Sequence, residues 1–297
     1  MDVAALLPKL ITASIVMMVF GIGLNARPQD TWYLFRHPAL LARSVLSMNV
    51  IMPLVAVALV VGFDLPAAVK IALVALAVSP VPPLLPKKEV DAGGDASYAI
   101  GLAVAIALLS VVTVPLAVAL FTSAFGRSGE VAVWTVAKTV GITILVPLAA
   151  GITLHRWAPG LAPKLARPVS IFGLVLLVVS ALPVAVSLWP AMSALHGDGT
   201  VLVLALMAVI GLVVGHALGG PDADTRTNLA LSTASRHPAV ALAAANAVVG
   251  NTEAKPALAA ILLYVVIAIL VSIPYVAWRK RLAVADTRGP SMTRDGH

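Results

Sequence analysis

Long apolar stretches alternate with short polar segments along almost the whole chain. A helix needs about 20 apolar residues to cross the hydrocarbon core of a membrane, and each stretch reaches roughly that length. Prolines, glycines and charged residues mark the boundaries between the stretches. The pattern predicts an all-α membrane protein of about nine transmembrane helices, covering residues 4–25, 39–62, 67–90, 96–122, 131–154, 168–189, 200–218, 225–250 and 256–278.

These helices form one predicted transmembrane domain over residues 1–278, with a first half at about 1–125 and a second half at about 131–278. The remaining residues, 279–297, combine charges with a glycine and a proline and have no apolar period. Chain ends of this kind are poorly ordered unless something ties them down. We therefore expect a disordered cytoplasmic tail.

The third and the eighth predicted helices contain residues that break a helix. The third has four prolines within seven residues, and each proline removes a backbone donor and clashes with the preceding turn. The eighth has a proline directly after an arginine and a histidine. The predicted hinge residues are Pro80, Pro82, Pro83, Pro86 and Pro238.

Interrupted helices have a specific meaning in a membrane. Unwound backbone is tolerated there only where protein or a water-filled cavity covers it. A pair of interrupted helices in corresponding positions of two halves is typical of transporters built from inverted repeats. Here one further helix closes each half after the interrupted one, and the two interrupted helices run in opposite directions. We predict inverted repeats whose two broken helices cross near the membrane midplane.

Composition and charge agree with a membrane protein. Hydrophobic residues make up 60% of the chain and charged residues 11%, whereas an ordinary soluble domain has about 25% charged residues. With the N-terminus outside, fourteen lysines and arginines fall on the cytoplasmic side and five on the other. This positive-inside bias predicts a multi-pass protein of the cell inner membrane with an external N-terminus and a cytoplasmic C-terminus.

The formal net charge of +7 does not indicate a nucleic-acid partner, because the basic residues are spread over short loops and the tail. The lipid bilayer is the predicted surrounding partner. The chain has no cysteine, which excludes disulfides, cysteine-based metal sites and thiolate catalysis. Ser235 and His237 lack a third triad member and an elbow motif, so we predict neither an enzyme nor a metal site.

Several motifs are similar to those of one transporter family. They are the stretch Val19–Leu24, the segment Arg36–Pro38, the stretch Asn49–Leu54 and the two interruptions. From about Leu10 to Trp278 the chain resembles the bile acid:sodium symporter family and its broader bile/arsenite/riboflavin transporter superfamily. The resemblance implies a panel domain and a core domain, with the two broken helices crossing in the core. Several members have ten helices, so this chain resembles a form that lacks the first.

The chain departs from this family at both interruptions. The family's first break has Pro-Gly-Gly followed by Ser-Asn, whereas this chain has Pro-Val-Pro followed by Leu-Pro. The family's second break has a Glu and a Gln-Asn pair that help hold two sodium ions. Here Ser232 stands at the Glu position, and Arg236 and His237 replace the Gln-Asn pair. The resemblance thus implies that the sodium-binding carboxylate is missing.

A guanidinium in that space would repel sodium by several kcal/mol at about 4 Å. We therefore expect no classical sodium coupling. An arginine in mid-span costs at least about 2.5–3.5 kcal/mol and is by default a functional candidate. We expect Arg236 to supply a permanent positive charge for an anionic substrate. The structural alternative is that it pairs with a buried carboxylate or with backbone carbonyls. His237 titrates near neutrality and is the candidate for proton coupling.

Other polar residues near the two breaks complete the candidate site. Hydroxyls can donate hydrogen bonds to a carboxylate or sulfonate, although they also bond back to their own helix. Lys88 is either a topogenic charge at the cytoplasmic mouth or part of an inward vestibule. The candidate substrate-binding residues are Arg236, His237, Ser232, Thr233, Ser235, Ser79, Asn49 and Lys88.

Three functions are compatible with these observations. The first is a secondary transporter of a small organic anion that works by alternating access, either facilitated or proton-coupled, without a cofactor. The second is a sodium-dependent organic anion symporter with a rearranged ion site. The third is a membrane sensor that binds its ligand without transporting it, and the lack of a sizeable soluble domain argues against this one.

Overall fold

The computed structural model describes residues 3–83, 85–124, 138, 141–195, 197, 199–249 and 254–288. Within these ranges the chain is helical, with short turns and no β-strand. The helices are, in chain order, α1 (Val3–Asn25), α2 (Pro28–Thr31), α3 (Tyr33–Arg36), α4 (Pro38–Val45), α5 (Met52–Gly62), α6 (Ala67–Val78), α7 (Leu85–Asp91), α8 (Ala96–Ala124), α9 (Val146–Trp157), α10 (Ala162–Ala194), α11 (Thr200–Leu218), α12 (Ala223–Ala234), α13 (Pro238–Val249) and α14 (Ala254–Arg288).

Five helices in the described part of the chain are long and apolar enough to cross a membrane, and α1 and α6 contribute shorter apolar segments. The five are Pro38–Gly62, Ala96–Leu116, Ala162–Ala194, Thr200–Leu218 and Lys255–Ala283. In the first of them, the π-helical segment Leu46–Ile51 joins α4 to α5. These helices confirm an all-helical, multi-pass membrane protein. The total of nine membrane crossings stays a prediction, and part of the fifth predicted helix, 131–154, lies outside the described residues.

The last helix is longer than the sequence pattern indicated. It runs from Ala254 to Arg288, so the expectation of disorder is wrong for residues 279–288. Alanine, leucine, lysine and arginine are frequent in this segment, and all of them favour a helix. The predicted helix breakers, a glycine and a proline, come directly after it. Residues 289–297 lie outside the described part of the chain.

Helices α1, α9 and α10 pack together, and glycines allow the close approach. A Cβ atom added at Gly23 of α1 would lie 2.5 Å from the carbonyl oxygen of Leu148 in α9. A Cβ atom added at Gly151 of α9 would lie 2.5 Å from the carbonyl oxygen of Phe20 in α1. Small residues at such contacts let helix backbones touch, which is how helices associate in a membrane.

The remaining long helices pack around the two interrupted ones. Helix α11 packs on α12 and α14, and α14 also contacts α6, α10 and α13. Alanines, leucines and valines of α6, α11, α13 and α14 form most of the largest buried apolar cluster. The interrupted helices are therefore enclosed by protein, as unwound backbone at membrane depth requires.

Both predicted interruptions are present. The third predicted helix divides into α6 and α7, and the eighth divides into α12 and α13. The first half of each packs on the second half of the other, since α6 contacts α13 and α7 contacts α12. Two helices that pair in this way run in opposite directions past each other. One detail differs: Pro86 lies in the first turn of α7 rather than in the break, because a proline is tolerated where no intrahelical donor is needed.

Candidate functional site

The two breaks contact each other through their backbones. The N–H of His237 lies 3.0 Å from the carbonyl oxygen of Pro80 and 3.1 Å from the hydroxyl oxygen of Ser79. The Ser79 hydroxyl itself donates to the carbonyl of Leu76 at 2.9 Å. A broken helix leaves buried donors and acceptors that need partners. Each break therefore supplies partners that the other one lacks.

Arg236 is buried at this contact, with 3% of its surface exposed. Its Nη1 donates to the carbonyl of Ser79 at 3.3 Å and its Nη2 to the carbonyl of Met48 at 3.5 Å. Its Nε has no partner among the described residues, and no described carboxylate forms an ion pair with it. Backbone carbonyls hold the guanidinium in place, and no described carboxylate is within ion-pair distance of it.

His237 is also buried, with 2% of its surface exposed. Within the described ranges, neither ring nitrogen has a hydrogen-bond partner. Buried polar atoms are nearly always paired, and each exception calls for an explanation. A ligand or a water in the space beside the ring would provide one.

That space is a cavity of about 510 Å³ beside the two breaks. Its polar lining residues are Lys88, Ser235, Arg236, His237, Tyr264, Ser272 and Lys280. Most of the other lining side chains are apolar, and no described aspartate or glutamate lines the cavity. Ligand pockets commonly combine apolar walls with a few placed polar groups. This one combines apolar walls with positive charge.

Four of the predicted site residues thus share one cavity: Arg236, His237, Ser235 and Lys88. Among the predicted hinge prolines, Pro82, Pro83 and Pro238 line it as well. Pro80 instead borders a small space of about 20 Å³ next to the cavity. Pro86 lines a separate crevice of about 730 Å³ that lies against α1 and α10.

The other predicted site residues make contacts within the protein. The Thr233 hydroxyl lies 2.7 Å from that of Ser47. The side-chain nitrogen of Asn49 donates to the Thr113 hydroxyl at 3.3 Å, and the Asn49 oxygen has no partner among the described residues. These residues join α4–α5 to α12 and α8, so the structure gives them packing contacts rather than a place in the cavity.

Ser232 has a partner that the sequence analysis missed. Its hydroxyl donates a hydrogen bond to Oε1 of Glu89, which is buried in α7 with 1% of its surface exposed. The Asn228 side-chain nitrogen lies 3.4 Å from the other Glu89 oxygen. Position 232 itself has no carboxylate, but the other interrupted helix places one beside it.

A signal for Glu89 was present in the sequence. The residue lies inside the third predicted helix, residues 67–90, and an acidic residue within a membrane helix is a functional candidate by default. It comes directly after Lys87 and Lys88, and a run of charged residues is also typical of a solvated surface. Those two lysines are exposed, whereas Glu89 is buried.

A multi-pass helical membrane protein with two interrupted helices in contact beside a cavity has the architecture of a secondary transporter. The model of the Sodium Bile acid symporter family matches residues 12–188. The chain belongs to this family, which confirms the resemblance drawn from its motifs and indicates a symporter-like transporter rather than an enzyme. The match includes the first interrupted helix and ends before the second. No curated protein matches the chain.

Proposed function

We propose that this protein is a secondary transporter that carries a small organic anion across the cell inner membrane by alternating access. The observation that carries the proposal is the Arg236 guanidinium, buried at the edge of the cavity without a described carboxylate partner. A buried charge is stable only when it is paired and hydrogen-bonded. An anion in the cavity would pair directly with the guanidinium and accept a hydrogen bond from Nε.

The cavity walls favour an anion that also has an apolar body. Side chains such as Leu177, Ile269 and Ile273 line the same cavity as the charged groups. Burying apolar surface contributes about 25 cal/mol per Å², so an amphipathic anion would gain from both parts of the site. A carboxylate or sulfonate attached to a hydrocarbon skeleton fits this description.

Lys88 and Lys280 support the same proposal from the mouth of the cavity. Both line the cavity, and both are exposed. Exposed cations at an entrance raise the local concentration of anions and the rate of association. The charge bias places these lysines on the cytoplasmic side, with the N-terminus outside and the C-terminus inside. In this topology the cavity would be reached from the cytoplasm.

For the conformational change, we propose that α1, α9 and α10 form the panel domain and that the interrupted helices belong to the core domain. The contacts between the two breaks would make them move together, as in transporters built from inverted repeats. Movement of the core against the panel would then expose Arg236 alternately to the two sides.

A second candidate function is sodium-dependent symport through a rearranged ion site. Glu89 favours it, because the carboxylate that such a site needs lies beside Ser232. Against it stands the guanidinium of Arg236, one helical turn further along the same segment. Under the first candidate, transport would be facilitated or driven by a proton gradient instead of the sodium gradient.

Flux measurements test these alternatives. Purified protein would be reconstituted into liposomes and tested with a radiolabelled bile acid, benzoate and an alkyl sulfonate, with and without sodium. We expect uptake of at least one of the three in sodium-free buffer. Strict dependence on sodium would favour the second candidate. Binding in a thermal-shift assay without any flux would identify a sensor, and a lack of both would refute the proposal.

A further inference from the structure

Glu89 lies in a setting that can hold a carboxyl group in either charge state. As a carboxylate it accepts hydrogen bonds from the Ser232 hydroxyl and the Asn228 amide. As a carboxylic acid its O–H can donate to the Ser232 oxygen, because a serine hydroxyl both donates and accepts. The Ser232 hydrogen can then turn to a carbonyl of its own helix, as serines in helices do. Neither state leaves the group unpaired.

No positive charge in the described part of the chain fixes Glu89 in its ionised form. The described ion pair on the same helix joins Lys87 to Asp91 at 2.8 Å, and Lys88 is exposed on that helix too. Arg279 of α14 also contacts α12, where it donates to the hydroxyl of Thr227 at 2.7 Å and not to Glu89. The carboxyl group therefore depends on neutral donors.

The groups that face Glu89 from α8 are not cations either. Tyr98 is close enough to interact electrostatically with Glu89, and its hydroxyl lies 2.8 Å from that of Ser44. Asp95 lies just before α8, and its carboxylate accepts a hydrogen bond from the backbone N–H of Tyr98. From α12, Asn228 and Ser232 bond to the Glu89 carboxylate, whereas the Arg226 Nε donates to the carbonyl of Gly220 at 2.7 Å.

The orientation of Asn228 favours a proton over a sodium ion at this site. Its side-chain oxygen accepts the N–H of Asp95 at 2.8 Å, and its nitrogen donates to the carbonyl of Asp95 at 2.8 Å. These two backbone groups fix the amide so that its nitrogen, not its oxygen, faces Glu89. Sodium needs oxygen ligands, and a nitrogen that donates a hydrogen bond is not one.

The site can be empty, hold an anion, hold a proton or hold both, and its net charge is zero in only two of these four states. Glu89 and Arg236 are the buried charged residues of the two interrupted helices within the described ranges, and His237 has no described acceptor to stabilise a second positive charge beside Arg236. The empty site is then neutral. A monovalent anion alone makes it negative, a proton alone makes it positive, and the two together restore neutrality.

Moving a net charge through a region of low dielectric constant is costly, so the neutral states are the ones that can change conformation. We propose that Glu89 is the proton-binding site that couples transport, with one proton carried per monovalent anion. The proton binds the Glu89 carboxylate on one side of the membrane and leaves as the carboxylate re-forms on the other. This inference rests on the proposed function and assigns its coupling site.

Two liposome assays separate coupling from transport. The probe is whichever of the bile acid, benzoate and the alkyl sulfonate wild type exchanges fastest. Net uptake is driven by an inward proton gradient, and exchange is measured with the same anion on both sides. Glu89→Gln mimics the protonated acid, so we expect it to retain exchange. Its rate of gradient-driven uptake should fall at least about tenfold below that of wild type. Asp91→Asn, at the exposed acid two residues away, should keep both.

Each other outcome has a definite meaning. Gradient-driven uptake that survives in Glu89→Gln overturns the assignment. If only His237→Gln loses that uptake, His237 rather than Glu89 is the proton-binding residue. If a sodium gradient drives wild-type uptake and a proton gradient does not, the coupling ion is sodium and the proposal is wrong. If wild type exchanges no anion, the proposed function fails together with this inference.

A second measurement uses wild type alone, so it tests the proposal even if Glu89→Gln does not fold. Wild type in weakly buffered detergent should take up close to one proton for each anion bound, followed with a pH indicator. No proton uptake on saturating binding overturns the proposal.

Discussion

Ser232 and Glu89 form a hydrogen bond between the two interrupted helices, with the serine hydroxyl as donor. The carboxylate comes from α7 and the hydroxyl from α12. One turn further along α12, the chain reaches the break that holds Arg236. The acidic group and the basic group of the site are thus on different interrupted helices, so movement of one helix past the other would alter both environments together.

Replacing Arg236 should weaken anion binding strongly. Arg236→Gln removes the countercharge and a charged hydrogen-bond donor, so we expect a loss of more than about 1.5 kcal/mol, or roughly tenfold in Kd. Thermal shift or calorimetry with the anion panel would measure it. Arg281→Gln is the control, because Arg281 is exposed and does not line the cavity. Equal affinities of Arg236→Gln and wild type would remove the main support for an anion site.

The lysines at the cavity mouth should affect rate more than affinity. Lys88→Gln and Lys280→Gln each remove an exposed charge, so we expect each to cost less than about 1 kcal/mol of binding. The association rate should fall, and the difference from wild type should vanish at high salt. Stopped-flow binding at low and high ionic strength would show this. A difference that persists in high salt would mean that these lysines contact the bound anion directly.

The contact between α1 and α9 should not tolerate a methyl group. Gly23→Ala and Gly151→Ala place a Cβ atom against backbone of the facing helix, and we expect each to destabilise the protein by about 1–3 kcal/mol. Thermal unfolding in detergent measures the effect. Gly62→Ala is the matched control, because a Cβ atom there meets nothing within 4 Å. Similar stabilities of all three variants would contradict the close packing.

The topology can be tested by labelling, since the natural chain has no cysteine. Asp64 and Arg156 are exposed, and the charge bias places the first outside and the second in the cytoplasm. Single cysteines at these positions should therefore react with a membrane-impermeant maleimide from opposite sides of the membrane. Labelling of both from one side would show that the assigned orientation is wrong.

Local chemistry made the two breaks predictable. Prolines act on their own turn of helix, so the positions of the breaks follow from residues such as Pro80 and Pro238. The role of Glu89 depends on which face of the seven-residue helix α7 turns inward, and such a short segment has too few apolar positions to define that face. The length of α14 was missed because half of its last ten residues are charged, although this segment still favours a helix.

The partner of Ser232 was missed for a different reason. Glu89 and Ser232 are 143 positions apart in sequence, and only the packing of α7 on α12 brings them together. Thr233 and Asn49 illustrate the same limit, because their hydroxyl and amide groups have partners on distant helices. A polar residue near a break can bind a ligand or form a hydrogen bond between helices. Which of the two it does depends on its neighbours in the folded structure.

The junction between the two breaks is made largely by main-chain atoms. The N–H of His237 meets the carbonyl of Pro80, and the carbonyls of Ser79 and Met48 hold Arg236. The bond between the His237 N–H and the Pro80 carbonyl uses groups that almost every residue has, so this part of the junction does not depend on the side chains around it. A scaffold of this kind can acquire a new substrate or a new coupling ion through substitutions at a few positions, while the mechanical connection between the helices persists.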